Sequence, residues 1–298
     1  MRGNDPPRRE IDLQSLVSLS AFPKSGVTYL SFLLFYSLFP DECEVHELER
    51  KYIIDIHAYP RAGPPVTQGL RLFKSHLPYN PAVPIVKATN KAIYLIRHPI
   101  DVMMSVWDFE NLVKGGRRTT QSPEFRAFVA RWIATGGAAF PEYGPWTQHL
   151  RSWLGQSQVP VHLVTYQKLV DRPVDELEAI LAFLGAKVDA GRLRLAAERS
   201  SMKSMAALEQ QEVEKRIEGV FFNKNLTAGY GLGHRFINKG YRSSYDNILT
   251  AEERARADRA FGNELSRYFA ESASTTPAIA TPAFAESPLA ESTSAKPT

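Results

Sequence analysis

Three short, almost wholly apolar segments constrain this chain more than any other feature, because each runs directly into a helical pattern. LVSLSAF (residues 16–22) leads through a turn at residues 23–26 into an apolar helix. AIYLIR (92–97) leads through Pro99 into IDVMMSVWDFENLV, and VPVHLVTY (159–166) leads through a short loop into PVDELEAILAFLG. Strands this apolar are buried on both faces, as in a parallel sheet covered by helices on each side. Pro99 and Pro173 stand where helices start, because proline's fixed φ suits the first turn and its missing N–H is not needed there. Gly185 stands where a helix stops. The sequence therefore predicts an α/β fold: a single domain with a central parallel sheet flanked by helices. Ligands of such sheets sit at the carboxyl ends of the strands. Phe22, Arg97 and Tyr166 mark those ends and point to one site.

No internal repeat and no Gly/Ser linker divides the middle of the chain, so the domain is expected over residues 13–271. The polar, proline-containing residues 1–12 are expected to be flexible. Residues 272–298 are mostly Ala, Ser, Thr, Pro and Glu, with Phe284 as their only aromatic residue. Such a tail cannot bury enough surface to offset its ordering entropy and is expected to be disordered. The net charge of +4 is too mild for a nucleic-acid-binding face but suits an anionic small ligand. Cys43 is the only cysteine, which excludes an internal disulfide and a thiolate metal cluster and fits a reducing, cytoplasmic setting. The amino-terminal segment lacks the apolar core of a signal peptide. The most apolar stretch, residues 29–39, falls well short of the roughly 20 residues that span a bilayer, so no membrane association is expected.

Three segments carry candidate chemistry. In FPKSGVTY a strand enters a Lys-Ser-Gly turn and then a helix with Thr28 in its first turn. Backbone N–H groups at that helix start, with the charge of Lys24, make a P-loop-like anion nest. The ATP-binding pattern GxxxxGK[ST] is absent because the lysine precedes the single glycine, and a plain turn with a solvated lysine is the competing interpretation. Arg97 ends a strand and Ser105 lies two helical turns on; an arginine fork suits a phosphate monoester and a serine hydroxyl adds a hydrogen bond. Pairing of Arg97 with Asp101 is the alternative there. In FKSHLP, His76 is fixed by Leu77 and Pro78 just after a short apolar-basic strand. An imidazole with an ordinary pKa near 6.5 suits a base for a hydroxyl proton, although most histidines are structural or on the surface.

Together these segments resemble the PAPS-dependent cytosolic-type sulfotransferase family (sulfotransferase 1 domain), PAPS being 3′-phosphoadenosine-5′-phosphosulfate. The family's TYPKSGTTW is similar to SAFPKSGVTY here, and its K-T-H-L-P is similar to Lys74-Ser75-His76-Leu77-Pro78. Its 3′-phosphate arginine and the serine eight residues on match Arg97 and Ser105. A Y-E-D-L stretch resembles Tyr166-Gln167-Lys168-Leu169, T-S-F-K-x-M resembles residues 200–205, and YGxW is Tyr143-Gly144-Pro145-Trp146. R-K-G-x-x-G-D-W resembles the stretch from Asn238 to Tyr245. The likeness spans residues 16–269.

The resemblance implies a P-loop-like phosphosulfate-binding loop and PAPS as co-substrate, with PAP as product and no metal. It implies that His76 takes the acceptor proton, that Lys24 neutralises charge on the leaving phosphate and that Lys74 orients or stabilises the transferring group. Ser25, Gly26 and Thr28 are implied at the 5′-phosphate, with Val27 among the donor-binding residues. Arg97, Ser105, Lys239 and Gly240 are implied at the 3′-phosphate, with Asn238 standing where the family has an arginine. Tyr29 and Met202 are implied against the adenine, Tyr166 at its edge, and Ser200 beside them. Ser105 is also counted with the catalytic group. Tyr29 replaces a tryptophan and Met202 a phenylalanine, so stacking is expected to be poorer. Asn238 removes one charged fork, so nucleotide affinity is expected to be weaker unless Arg242 compensates. The dimer segment differs at residues 246–251, which leaves monomer or homodimer open.

The expected acceptor is a small hydroxyl compound, aromatic or amphipathic, bordered by Tyr59, Trp107, Phe109, Phe140, Phe221, Phe222 and Tyr230. FFNKNLTAGYGLGHRF (221–236) is expected to form a mobile lid. Two other classes compete: a P-loop-type kinase or NTPase, and a non-catalytic nucleotide-binding protein on the same fold.

Overall fold

The computed structural model describes residues 16–39, 41, 43–60, 63–116, 119–223, 226–237 and 248–269. The expected flexible ends, residues 1–12 and 272–298, lie outside the described residues, as do Asn238, Lys239, Gly240, Arg242 and the first two residues of the dimer segment.

Five parallel strands form one sheet in the order β2-β3-β1-β4-β5. They are β1 (Leu16–Ala21), β2 (Ile54–Asp55), β3 (Arg71–Ser75), β4 (Lys91–Ile96) and β5 (Val161–Thr165). Alternate side chains on each strand reach opposite faces, and both faces are covered. Leu19, Ile93, Leu95 and Val164 pack with α1 (Val27–Leu38), α7 (Pro173–Leu184) and α8 (Ala190–Arg199). Ala92, Tyr94 and Ile96 pack on the other side with α3 (Pro99–Lys114), α4 (Pro123–Ala134), α5 (Trp146–Leu154) and α11 (Ala251–Phe269). Trp107, Trp132, Trp146 and Trp153 all lie in this second layer, each at most 2% exposed. The remaining helices are α2 (Pro84–Lys87), α6 (Tyr166–Asp171), α9 (Met202–Lys215) and α10 (Thr227–Gly231).

The three strand-to-helix units expected from the sequence are β1–α1, β4–α3 and β5–α6–α7. α3 and α7 begin on Pro99 and Pro173, and α7 ends against Gly185 at φ 83°. The chain leaves central β1 for β2 and β3 on one side, then crosses to β4 and β5 on the other. A crevice therefore opens at the carboxyl end of β1, where the connections part. Among the described residues no helix is long and apolar enough to cross a membrane.

Candidate active site

The sheet register sets out the site in a row. Asp55 ends β2 opposite Lys74 of β3, and His76 follows one residue after β3. Lys24 lies in the turn after β1, Arg97 directly follows β4 and Tyr166 directly follows β5. Lys24, Asp55, Lys74, His76, Arg97 and Tyr166 all line one cavity of about 350 Å³.

At the donor end, Lys24 adopts φ 69° and Gly26 φ 101°, so the turn is left-handed at two of three consecutive residues. Gly26 is required twice over. Its φ disfavours a side chain, and a Cβ there would stand 2.5 Å from Cδ2 of Tyr166. Tyr166 packs on this loop, and the Arg97 guanidinium lies 4.4 Å from its ring centre while an Nη donates to the Lys24 carbonyl at 3.3 Å. No side chain caps α1, so the first N–H groups of that helix remain for an anion. The Ser25 hydroxyl in the same turn and the Ser200 hydroxyl just before α9 are buried with no hydrogen-bond partner among the described residues. Buried hydroxyls are normally bonded, so a polyphosphate nucleotide fits this donor set.

The Lys24 ammonium sits 3.8 Å from the ring centre of Phe236 and 4.2 Å from that of Phe109. Aromatic faces favour the charged form. Burial first, and then the charges of Lys74 and Arg97, push its pKa down to about 7.

At the other end, Lys74 is 7% exposed and lies between Glu49 Oε1 at 2.7 Å and Asp55 Oδ2 at 2.9 Å. Burial alone would lower the Lys74 pKa, but the two carboxylates raise it well above its ordinary value. Burial would likewise raise Asp55, yet Lys74 holds it at about 2; Glu49 shifts up because burial outweighs its pairing. The ammonium expected to orient the transferring group is thus already engaged by two carboxylates.

His76 Nδ1 lies 2.8 Å from the Ala21 carbonyl oxygen. Only a protonated Nδ1 can donate to that oxygen, which leaves Nε2 as the lone-pair nitrogen. It has no partner among the described residues. Burial first, then Lys74, pushes the His76 pKa down to about 3, so the ring is neutral at physiological pH.

Of the residues expected at the donor, Gly26, Val27, Thr28 and Tyr29 line the cavity, as do Ser105 and Met202. Ser25 and Ser200 do not line it. Among the aromatic residues expected at the acceptor, Phe109 and Phe140 line it. Trp107, Phe221, Phe222 and Tyr230 are instead buried in the core, at 2%, 1%, 6% and 6% exposure, and Tyr59 is not on the cavity wall. Tyr143 and Phe236 complete the aromatic lining. Sequence reasoning passed over Glu49, Asp55, His57 and His149. No local signal marks the first two: Asp55 meets Lys74 through a two-residue strand pairing with β3, and Glu49 reaches it from the helical turn at Leu48–Tyr52.

The segment expected as a lid is tied down. Glu212 accepts the N–H groups of Val220, Phe221 and Phe222, and Glu209 accepts those of Phe236 and Ile237. Within it α10 packs on α3 so tightly that a Cβ at Gly229 would stand 1.9 Å from the Leu112 carbonyl oxygen.

A family model described as the sulfotransferase domain matches residues 15–269. A rat protein named sulfotransferase 2A1 is 25% identical over 203 residues, covering 67% of this chain and 66% of its own length. A guinea-pig 3-beta-hydroxysteroid sulfotransferase is 26% identical over 201 residues, covering 66% and 64%. The chain thus spans slightly less than two thirds of these relatives. Among solved structures, mouse sulfotransferase SULT7A1 complexed with PAP shares the fold with a TM-score of 0.61 at 21% identity, covering 87% of each chain. Retinol dehydratase in complex with androsterone and inactive cofactor PAP does so at 0.60 and 18% identity, covering 85% of this chain and 81% of its own.

Proposed function

This chain belongs to the sulfotransferase domain family, and from that premise we propose that it moves the sulfuryl group of PAPS to a hydroxyl of a small aromatic or amphipathic acceptor. One observation carries the proposal: Lys24 and Arg97 line the same cavity as His76, whose Nε2 has no other partner.

PAPS, as co-substrate, supplies an activated sulfur atom and a leaving phosphate. His76 Nε2 accepts the hydroxyl proton as the acceptor oxygen attacks sulfur. The new O–S bond forms, the bond from sulfur to the bridging phosphate oxygen breaks, and its electron pair departs with PAP. Lys24 stabilises the charge that builds on that bridging oxygen. Ser25, Gly26, Val27 and Thr28 hold the 5′-phosphate, while Arg97 and Ser105, with Asn238, Lys239 and Gly240, hold the 3′-phosphate. Tyr29, Tyr166, Ser200 and Met202 hold the adenine. Lys74, kept by Glu49 and Asp55, acts through its field at the transferring group. Phe109, Phe140, Tyr143 and Phe236 give the acceptor an apolar seat. The relative named as a hydroxysteroid sulfotransferase supports an alcohol acceptor. A reduced, cytoplasmic setting suits the single cysteine.

Two measurements test this. The protein is expected to be retained on immobilised 3′,5′-ADP without hydrolysing ATP, which separates it from a kinase. Transfer of sulfur-35 from PAPS to a mixed phenol and alcohol library is expected; retention without any transfer would leave a nucleotide-binding protein and overturn the proposal.

A further inference from the structure

Two histidines that belong to none of the matched motifs grip the main chain of the third. Asp55 Oδ1 accepts the N–H of His57 at 2.9 Å and that of Ala58 at 3.4 Å, closing a tight turn after β2. This turn lays the His57 ring beside that of His76, with centres 5.5 Å apart and planes at 19°. The His76 N–H donates to His57 Nε2 at 2.8 Å. On the other side His149, wholly buried on α5, places Nε2 3.0 Å from the His76 carbonyl oxygen and Nδ1 2.8 Å from the Tyr94 hydroxyl.

These contacts fix all three tautomers. A nitrogen that accepts an N–H carries no hydrogen, so His57 is protonated on Nδ1, which faces the Tyr143 hydroxyl at 3.3 Å. His149 must donate from Nε2 to a carbonyl and therefore accepts from Tyr94 at Nδ1. His76 donates from Nδ1 to Ala21. Five of the six ring nitrogens are engaged, and the sixth is His76 Nε2.

We propose that His57 and His149 are positioning residues that clamp the amide and carbonyl of His76, so that its Nε2 alone is presented to the acceptor hydroxyl. The proposal rests on the sulfotransferase reading for its kinetic consequence, though not for its structural one. The His57 side of the clamp requires a neutral ring, since a protonated Nε2 cannot accept. Asp55, Lys74 and Glu142 are the charges around His57, with His76 and Tyr143 as its titratable neighbours.

The test uses His57→Leu, which removes the acceptor, and His57→Gln, whose Oε1 takes the place of Nε2 without titrating. His57→Leu is expected to lower kcat about tenfold to a hundredfold with the KM for PAPS unchanged, the usual effect of misplacing a reacting group. His57→Gln is expected to restore most of it and to remove the acid limb of kcat below pH 6.5. His149→Gln, which keeps a donor at the ε position, is expected to outperform His149→Leu; since His149 is fully buried and its variants also test folding, the surface pair at His57 decides. Amide hydrogen exchange at His76 provides a readout without activity. It is expected to quicken in His57→Leu and to stay slow in His57→Gln. Unchanged exchange in His57→Leu, or equal kcat in the Leu and Gln variants, would overturn the clamp. If the wild type transfers no sulfur while exchange follows the expected pattern, the clamp stands and the functional reading falls.

Discussion

The two walls of the cavity are built by opposite means. One wall is the row of strand ends, where Lys24, His76, Arg97 and Tyr166 are placed by main-chain register and covered cores. The other is the cover, which reaches the cavity through Phe236 and Ile237 and whose backbone at residues 220–222 and 236–237 hangs on two buried carboxylates of α9, Glu209 at 1% exposure and Glu212 at 0%. A sheet fixes its residues through many parallel hydrogen bonds, so changing one side chain alters chemistry and little else. The cover packs α10 on α3 and buries Phe221 and Phe222, but its main chain beside the site depends on two side chains, so changing either carboxylate alters binding and stability. The proposed general base belongs to the first wall, and the Phe236 ring over Lys24 to the second.

The largest separation is expected from His76→Ala. Turnover should fall by roughly two to four decades, the usual worth of a positioned base, with PAP affinity and unfolding midpoint close to wild type. Calorimetry with PAP beside single-turnover kinetics decides this. Near-normal kcat would remove His76 from the chemistry and dissolve the contrast between the walls.

Glu212→Ala should do the reverse. Oε2 accepts from Phe221 at 2.8 Å and Phe222 at 3.0 Å, while Oε1 accepts from Val220 at 3.2 Å and lies 2.9 Å from His46 Nδ1. Removing it strands buried N–H groups at about 1–3 kcal/mol each, not strictly additively. Urea unfolding should show a loss of about 3 kcal/mol, with weaker PAP binding and kcat at saturating PAPS mostly kept. A collapse of kcat at saturation, with stability intact, would show that the cover takes part in the chemistry.

These carboxylates also mark what the sequence shows and what it hides. LVSLSA, KAIYLI and VHLVT are legible as strands because they are short and mostly apolar, and Pro99, Pro173 and Gly185 punctuate their helices. Arg97 and Tyr166 are legible because they follow directly on such strands, Lys24 because it lies in the turn after one, and His76 because it follows a short apolar-basic strand. Glu209 and Glu212, within MKSMAALEQQEVEK, look like ordinary solvated charges; their partners are backbone amides up to 28 residues away. His149 sits in WTQHLRSWL without any local sign that it reaches the main chain of His76, 73 residues earlier. Trp107, Phe221, Phe222 and Tyr230 mislead in the opposite direction. Aromatic residues near loops suggest a pocket, yet the core closes over them.

Arg97→Ala tests the strand wall at its donor end. The side chain is 6% exposed and lies against both the Lys24 carbonyl and the Tyr166 ring. Losing a charged contact worth about 1.5–3 kcal/mol should weaken PAP about tenfold to a hundredfold in a titration, with a smaller effect on kcat at saturation. Unchanged PAP affinity would assign Arg97 to holding the loop rather than the nucleotide.

The smallest effect belongs to the residue where the walls meet. Lys24 stands on the strand wall but under the rings of Phe109 and Phe236, and burial, then Lys74 and Arg97, bring its pKa to about 7. A phosphate beside it favours the ammonium and raises that pKa, so above pH 7 PAP binding must take up a proton. Affinity then falls as pH rises, by up to about tenfold per unit for one proton, and is indifferent to this group below pH 7, where the free protein already carries the charge. The neighbours leave that window clear: His76 is held at about 3, and Tyr29 is pushed up to about 12 by burial. Calorimetry at pH 8 in buffers of different ionisation enthalpy should therefore register net proton uptake, and Lys24→Arg, always charged, should abolish it. Phe236→Ala should reduce the uptake, because opening the cover rehydrates the ammonium and returns its pKa toward the ordinary lysine range. If wild-type affinity is flat from pH 7 to 9, Lys24 is charged before the nucleotide arrives, and the cover does not reach across to the chemistry of the strand wall.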